Sequence, residues 1–257
     1  MIDTHCHLDV ETFDGDRDDA IARARAAGVT GMLVPAIRPR TWDALVVLAR
    51  RHHAAGVRCA LGIHPQVVPD LADEETAGDL AERIARACTD AGAIAVGECG
   101  LDGATGAQGR QEAIFRAHLR AAKQLGLPVV IHVLRAHDAA PRILRDEGPI
   151  AGVLHSYSGG AELVPVYSEL GLHFSFAGPV SYANARRPVE AARVVAADRL
   201  LAETDAPDQA PEGHRGGRSE PAFLPAVIAG LAAARRAADR EIAELTTGNA
   251  KRLFSAW

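Results

Sequence analysis

Two histidines near the amino terminus, His5 and His7, are separated by one residue and end a short, mostly apolar segment. Side chains two residues apart on a β-strand point to the same face, so both imidazoles can reach one cavity. Neutral imidazole is the commonest metal ligand among protein side chains. Two nearby histidines are also common without any metal, so the interpretation of this pair as metal ligands depends on the rest of the chain.

Further potential ligands follow later strand-like segments, namely His64, Glu98, His132, His155 and Asp205. Without His64, the four histidines and two carboxylates still exceed what one tetrahedral ion needs if a position stays open for water, so two ions are the better count. We assign His5, His7 and Asp205 to one ion, His132 and His155 to the other, and Glu98 to both.

A carboxylate must bridge two such ions. In some barrel hydrolases the bridge is a carbamylated lysine, but the two lysines of this chain, Lys123 and Lys251, lie in a predicted helix and near the carboxyl terminus. Glu98 is the remaining candidate. Two ions about 4 Å apart can acidify a shared water and stabilise the attacking and leaving oxygens of a displacement, which predicts a hydrolase.

The elements that must position these residues alternate between short aliphatic runs and longer amphipathic ones. Strands are predicted at 1–6, 31–36, 58–63, 93–98, 128–132, 150–155, 172–177 and 199–204. Helices are predicted at 18–27, 41–53, 76–91, 108–125, 138–146, 161–170, 188–197, 221–235 and 239–247. The segments 100–109 and 206–220 are predicted to be long functional loops.

Eight β/α units predict an α/β fold, a (β/α)8 TIM barrel in a single domain over 1–257, whose site lies at the carboxyl ends of the strands. All the candidate ligands fall at that end. A doubly wound sheet is the competing architecture, but it usually carries a G-x-G-x-x-G motif after its first strand, and none follows here.

Bulk properties limit the possible partners. A net charge of −5 argues against a broadly basic surface for nucleic acid. No apolar stretch approaches the roughly 20 residues of a membrane span, and no signal peptide is visible, so no membrane contact and a cytoplasmic location are expected. The four cysteines have no C-x-x-C spacing and are expected to be reduced packing residues.

Seven short motifs together resemble the TatD family of metal-dependent deoxyribonucleases, in order from one end of the chain to the other. They are IDTHCHLD (2–9), GIHP (62–65), GECGLD (97–102), LPVVIH (127–132), HSYSG (155–159), ETDAP (203–207) and NAKRLF (249–254). Each motif is only moderately specific, but seven in this order and spacing are very unlikely to be coincidental.

This resemblance implies an amidohydrolase-like barrel, a divalent-metal centre and hydrolysis of DNA phosphodiester bonds, often as an exonuclease. It implies the same six metal ligands that the spacing indicates. The histidine of the G-x-H-P motif corresponds to His64, which is regarded as a substrate-side group in this family. The resemblance also suggests magnesium, while the ligand types permit zinc, manganese or iron.

The sequence departs from the family where substrate is bound. An arginine commonly lies two residues after the fifth-strand histidine, but this position is Leu134, and Arg135 follows it. We expect His64, with Arg135 or Arg218, to hold the non-reacting phosphate oxygens. Aromatic residues make up 4% of the chain, which leaves few stacking platforms for single-stranded bases.

The sequence therefore predicts a metal-dependent hydrolase of ester bonds, a TatD-like DNase with two divalent ions, either Mg, Mn or Zn. Water activated at the binuclear site would attack phosphorus, with Asp205 orienting this water or accepting its proton, and Glu98 as the shared carboxylate. The substrate is expected to be DNA or a small phosphoester, with no obligate protein partner. The alternatives are a hydrolase of a small ester, lactone, amide or phosphoester, and a silent binding module that has kept the barrel.

Overall fold

Eight parallel strands form the centre of the computed structural model, which describes residues 1–257. The strands are β1 (Ile2–Asp3), β2 (Gly31–Pro35), β3 (Val57–Leu61), β4 (Ala95–Asp102), β5 (Val129–Leu134), β6 (Gly152–Leu154), β7 (Leu172–Phe176) and β8 (Leu200–Ala202). They pair in sequence order. The Thr4 N–H donates to the Ala202 carbonyl at 3.2 Å, which brings β8 next to the end of β1. The nearly closed barrel confirms the predicted TIM-barrel fold, and the strand order excludes the doubly wound sheet.

Each strand is followed by a helix that packs on the outside of the barrel. The helices are α1 (Arg17–Ala26), α2 (Trp42–Arg51), α3 (Leu80–Ala91), α4 (Gln108–Leu125), α5 (Ala139–Glu147), α6 (Val164–Glu169), α7 (Arg187–Val194), α8 (Leu224–Arg235) and α9 (Asp239–Phe254). The predicted end of α9 at residue 247 is wrong. The Asn249 side chain donates to the carbonyls of Ala197 and Leu200, both at 2.7 Å, and this anchor lets the helix continue past Gly248.

One apolar layer fills the barrel near the amino ends of the strands. Seven strands each contribute one buried residue to it, namely Ile2, Leu33, Ala60, Ala95, Val130, Val153 and Leu201. Phe254 of α9 packs on the same layer and Trp257 lies against it. The strands read as continuous apolar runs because they are covered on both faces. This end of the barrel is therefore closed by side-chain packing, and the polar candidate ligands lie at the other end.

Two strand predictions need correction because both bear on the site. Strand β1 ends at Asp3, so His5 and His7 lie in the segment after it, and strand alternation is not the reason that they face one cavity. Strand β4 runs on to Asp102, so the predicted loop at 100–109 shrinks to residues 103–107 before α4. The segment 206–220 has neither helix nor strand, as predicted.

The cysteines Cys6, Cys59, Cys88 and Cys99 are all buried and unpaired, in agreement with the prediction that they are packing residues. None of the helices combines the length and the apolar character that a membrane-spanning helix requires.

Candidate metal centre

The structure brings the six predicted metal ligands together at the carboxyl ends of the strands. His5 and His7 follow β1, Glu98 lies within β4, His132 lies within β5, and His155 and Asp205 follow β6 and β8. His64, which follows β3, joins the same cluster. Lys123 and Lys251 are exposed on α4 and α9, so neither reaches it.

Glu98 occupies the centre of the cluster because of a local irregularity in β4. The register between β4 and β5 shifts between Val96 and Cys99, and such irregularities bend a strand and re-aim its side chains. Gly100 then lets the two strands approach closely, since a Cβ at this position would lie 2.0 Å from the His132 carbonyl oxygen. The carboxylate of Glu98 is fully buried as a result.

One oxygen of Glu98 faces the residues that follow β1. Its Oε2 lies 3.1 Å from His5 Nε2 and 3.5 Å from His7 Nε2, and these two nitrogens are 3.2 Å apart. Asp205 Oδ1 lies 3.6 Å from His5 Nε2 on the same side. The main chains are also paired here, because the Asp205 N–H donates to the His5 carbonyl at 2.9 Å. His5, His7 and Asp205 thus form one group that could hold a cation.

The other oxygen of Glu98 faces three imidazoles from β3, β5 and β6. Its Oε1 lies 3.0 Å from His64 Nε2, 3.2 Å from His132 Nδ1 and 2.7 Å from His155 Nε2. His64 was predicted to be a substrate-side residue, but the structure places its imidazole as close to Glu98 as the others. His64, Glu98 and His132 form another group with the spacing of a metal site.

The arrangement of nitrogen and oxygen atoms in the cluster is better suited to binding divalent cations than to hydrogen bonding among the side chains. Both Glu98 oxygens are buried, and neither takes part in a hydrogen bond of acceptable geometry although five imidazole nitrogens lie within 3.5 Å. Burying a carboxylate without such bonds is costly unless it is paired or binds a metal. Neutral nitrogens and carboxylate oxygens that converge on shared spaces are the donor set that Zn²⁺ or Mn²⁺ takes.

Burial and the negative charge gathered in the cluster shift the pKa values of its members in opposite directions. Burial lowers the pKa of His5 to about 4, so its ring is neutral near pH 7. Burial acts to raise the pKa of Glu98, but the surrounding imidazoles outweigh it and hold that pKa well below its usual range. Burial raises the pKa of Asp205 to about 6. Although burial opposes it, the carboxylates of Glu98 and Glu203 raise the pKa of His155, and this reflects a potential that attracts cations.

A second layer of carboxylates orients the imidazoles. Asp102 Oδ2 lies 3.4 Å from His132 Nε2, and Glu203 Oε1 lies 3.4 Å from His155 Nδ1. Both carboxylates therefore lie directly behind histidines of the cluster. A carboxylate behind a metal-binding histidine fixes its ring and raises its basicity.

An open cavity of about 560 Å³ lies over the cluster, but the two predicted substrate-binding arginines are not part of its wall. Arg135 is exposed beyond the end of β5, while Leu134 lines the cavity. The Arg218 guanidinium is bound to Asp16 at 2.6 Å and stacks on the ring of Phe13. Arg218 is already paired with a carboxylate, so its placement gives no support to a role in holding phosphate.

Two glutamines at the site were not anticipated from the sequence. Gln66 Nε2 donates to Asp102 Oδ2 at 2.8 Å, and Gln209 Nε2 donates to Asp205 Oδ2. Gln66 lies two residues after His64, so a search of residues next to the motifs would have found it. Gln209 lies inside the irregular 206–220 segment, where the spacing of residues does not indicate which way a side chain points.

Comparison with known proteins extends the similarity over the whole barrel. A family model described as TatD related DNase matches residues 2–255. YabD, an uncharacterized metal-dependent hydrolase of Bacillus subtilis, is 33% identical over 259 residues, covering 99% of this chain and 98% of that protein. A protein of Erwinia tasmaniensis named 3'-5' ssDNA/RNA exonuclease TatD is 35% identical over 267 residues, covering 99% and 100%. The crystal structure of YjjV, a TatD homolog from Escherichia coli K12, matches with a TM-score of 0.89 at 31% identity, covering 99% and 98%.

Proposed function

The chain belongs to the family of TatD related DNases, and on this premise we propose that it hydrolyses phosphodiester bonds of DNA at a site that binds two divalent cations. It is a metal-dependent hydrolase that acts on ester bonds. Relatives named 3'-5' ssDNA/RNA exonuclease support a nucleic-acid substrate.

The observation that carries the proposal is the position of Glu98 between two groups of histidines, with each carboxylate oxygen facing one group. We assign His5, His7 and Asp205 to one cation and His132 with His155 to the other, with Glu98 shared between them. His64 lies close enough to Glu98 to contribute to the second group. Two divalent cations held there would acidify water and stabilise negative charge on the attacking and leaving oxygens.

The other catalytic and supporting roles belong to side chains of the protein. Asp205 borders the cavity and orients the attacking water or accepts its proton. Asp102 and Glu203 keep the rings of His132 and His155 in place from behind. The apolar layer at the other end of the barrel leaves the cavity as the open side of the site.

Removal of divalent metal is expected to abolish hydrolysis. The measurement is release of labelled nucleotides from a single-stranded oligonucleotide by the purified protein, before and after dialysis against a chelator. We expect the rate to fall by at least about 10³-fold, because the cations supply several kcal/mol of transition-state stabilisation. Adding back Mg²⁺, Mn²⁺ or Zn²⁺ separately should restore activity with at least one of them.

The control for this experiment is the circular dichroism spectrum of the dialysed protein, which should show an intact barrel. If the folded, metal-free protein cleaves DNA at more than a tenth of the original rate, the proposal is wrong.

The cavity wall favours a second candidate, a hydrolase of small phosphoesters. None of the fifteen residues that line the cavity is an arginine, a lysine, a phenylalanine, a tyrosine or a tryptophan. Basic side chains neutralise the phosphates of a bound strand, and aromatic rings stack its bases. A wall without either type is suited to one phosphoester group or to a strand end, and poorly suited to a long strand.

Leu134→Arg is expected to improve the use of oligonucleotides, because it adds a cation to the wall at the end of β5. A charge-assisted hydrogen bond contributes about 1.5–3 kcal/mol, so KM for a single-stranded oligonucleotide should fall by about 10-fold. The dependence of log(kcat/KM) on log[salt] should become steeper by about 0.7.

The matched control is Val47→Arg, which adds the same charge at an exposed aliphatic position on α2. Bis(p-nitrophenyl) phosphate, with a single phosphate, serves as the small substrate. Its KM should change by less than about twofold in either variant. A Leu134→Arg variant with the oligonucleotide KM and salt dependence of the wild type would show that this wall does not face the strand.

A further inference from the structure

Three residues with a left-handed backbone, one of which is Asp205, lie together at the metal centre. The φ angles are 40° for Ser156, 52° for Asp205 and 51° for Gln209, and only seven non-glycine residues of the chain have a positive φ. Positive φ is uncommon outside glycine, and such residues cluster at functional sites. Ser156 follows β6 and the other two follow β8, so the three come from two different loops.

The side chains of these residues form one hydrogen-bonded chain. Gln209 Nε2 donates to Asp205 Oδ2. An ionised carboxylate can only accept, so this contact sets which end of the amide faces Asp205. The Ser156 hydroxyl also contacts this amide, 2.9 Å from Oε1 and 2.7 Å from Nε2. The Gln209 amide is therefore held between a carboxylate and a hydroxyl.

The chain continues from Ser156 to the opposite side of the metal centre. The Ser156 N–H donates to Glu203 Oε1 at 2.5 Å, and the same oxygen lies 3.4 Å from His155 Nδ1. A continuous path of contacts thus joins Asp205, in one group of ligands, to His155, in the other. All residues of this path lie in the loop after β6 or in the segment that follows β8.

The backbone of Gln209 is fixed independently of its side chain. A Cβ at Gly178, which follows β7, would lie 1.9 Å from the Gln209 carbonyl oxygen and 2.8 Å from the Ala210 carbonyl carbon. The loop after β8 therefore packs directly on the backbone of the loop after β7. This close approach fixes the backbone position from which the Gln209 side chain extends.

We propose that Gln209 is a positioning residue that holds the Asp205 carboxylate in its working orientation, with Ser156 as its anchor. Binding of Oδ2 by the amide leaves Oδ1 directed toward His5 Nε2, 3.6 Å away. The inference rests on the proposed role of Asp205 at the metal centre. Gln209 lines the cavity beside Asp205, and its proposed contribution is made through the orientation of that carboxylate.

The test is Gln209→Leu, which keeps the size of the side chain and removes the amide. We expect kcat to fall by about 10-fold with KM for bis(p-nitrophenyl) phosphate within twofold, and the Mn²⁺ dissociation constant, measured by electron paramagnetic resonance, to rise by about 10-fold. Gln209→Asn keeps an amide and tolerates a left-handed backbone, but it is one methylene shorter. The same losses are expected for it, because the amide no longer reaches Asp205.

The matched control is Gln124→Leu, which removes an exposed amide on α4 that donates to the Glu82 carboxylate on α3. It should leave kcat and Mn²⁺ affinity unchanged. If Gln209→Leu and Gln209→Asn keep kcat and Mn²⁺ affinity within twofold of the wild type, the inference is overturned. A rise in KM with an unchanged kcat also overturns it, because it would place Gln209 on the substrate. The Mn²⁺ measurement needs no turnover, so it tests this inference even if no phosphodiester is cleaved.

Discussion

Asp205→Asn is expected to lower kcat for cleavage of single-stranded DNA by about 10³-fold or more. The substitution keeps the shape of the side chain but removes its charge and its ability to accept a proton. Loss of a general base alone costs about 10²–10⁴-fold, and Asp205 also faces His5 within the cluster. The measurement is the steady-state rate on a labelled oligonucleotide with saturating Mn²⁺.

The matched control for this substitution is Asp198→Asn. Asp198 is exposed and precedes β8, so it lies at the opposite end of the same strand. Its removal should leave kcat unchanged. The main-chain hydrogen bond from Asp205 to the His5 carbonyl does not depend on the carboxylate, so the Asp205→Asn protein should unfold at a temperature close to that of the wild type. Turnover within tenfold of the wild type would refute the assigned role of Asp205.

Glu98→Gln is expected to weaken metal binding and activity together. Loss of a group that only supports a ligand typically costs 10–100-fold in metal affinity, so loss of a charged ligand shared by two ions should cost at least about 100-fold. Hydrolysis should fall by at least about 10³-fold, because both cations depend on the same carboxylate. Calorimetric titration with Mn²⁺ and the oligonucleotide assay measure the two effects.

The control is Glu244→Gln, which removes an exposed carboxylate that pairs only with Arg240 on α9. This variant should bind Mn²⁺ like the wild type. A Glu98→Gln protein that is folded and keeps its Mn²⁺ affinity within threefold would contradict the assignment of Glu98 as the shared ligand.

The barrel and the gathering of polar residues at its mouth follow from patterns that are local in the sequence. Each strand is an aliphatic run of a few residues, and His64, His155 and Asp205 come just after such runs. In a parallel barrel all the carboxyl ends meet at one rim, so residues about 200 positions apart converge without any knowledge of contacts. The fold and the membership of the cluster were therefore predictable from the order of the elements.

The finer geometry was not predictable, because it depends on backbone conformations that have no periodic signature. The irregularity of β4 that centres Glu98 and the turn that brings His5 and His7 to one side are examples. Gln209 reaches Asp205 only because two left-handed residues reverse the chain after β8. Arg218 was considered for holding the non-reacting phosphate oxygens, but its guanidinium is paired with the carboxylate of Asp16, a contact that the sequence pattern does not reveal.

The most direct test of the central claim is an anomalous difference map from crystals of this protein grown with Mn²⁺. We predict two peaks at the mouth of the barrel, both adjacent to Glu98, one beside His5 and Asp205 and the other beside His132 and His155. A single peak, or peaks away from Glu98, would contradict a binuclear centre with Glu98 as its shared carboxylate.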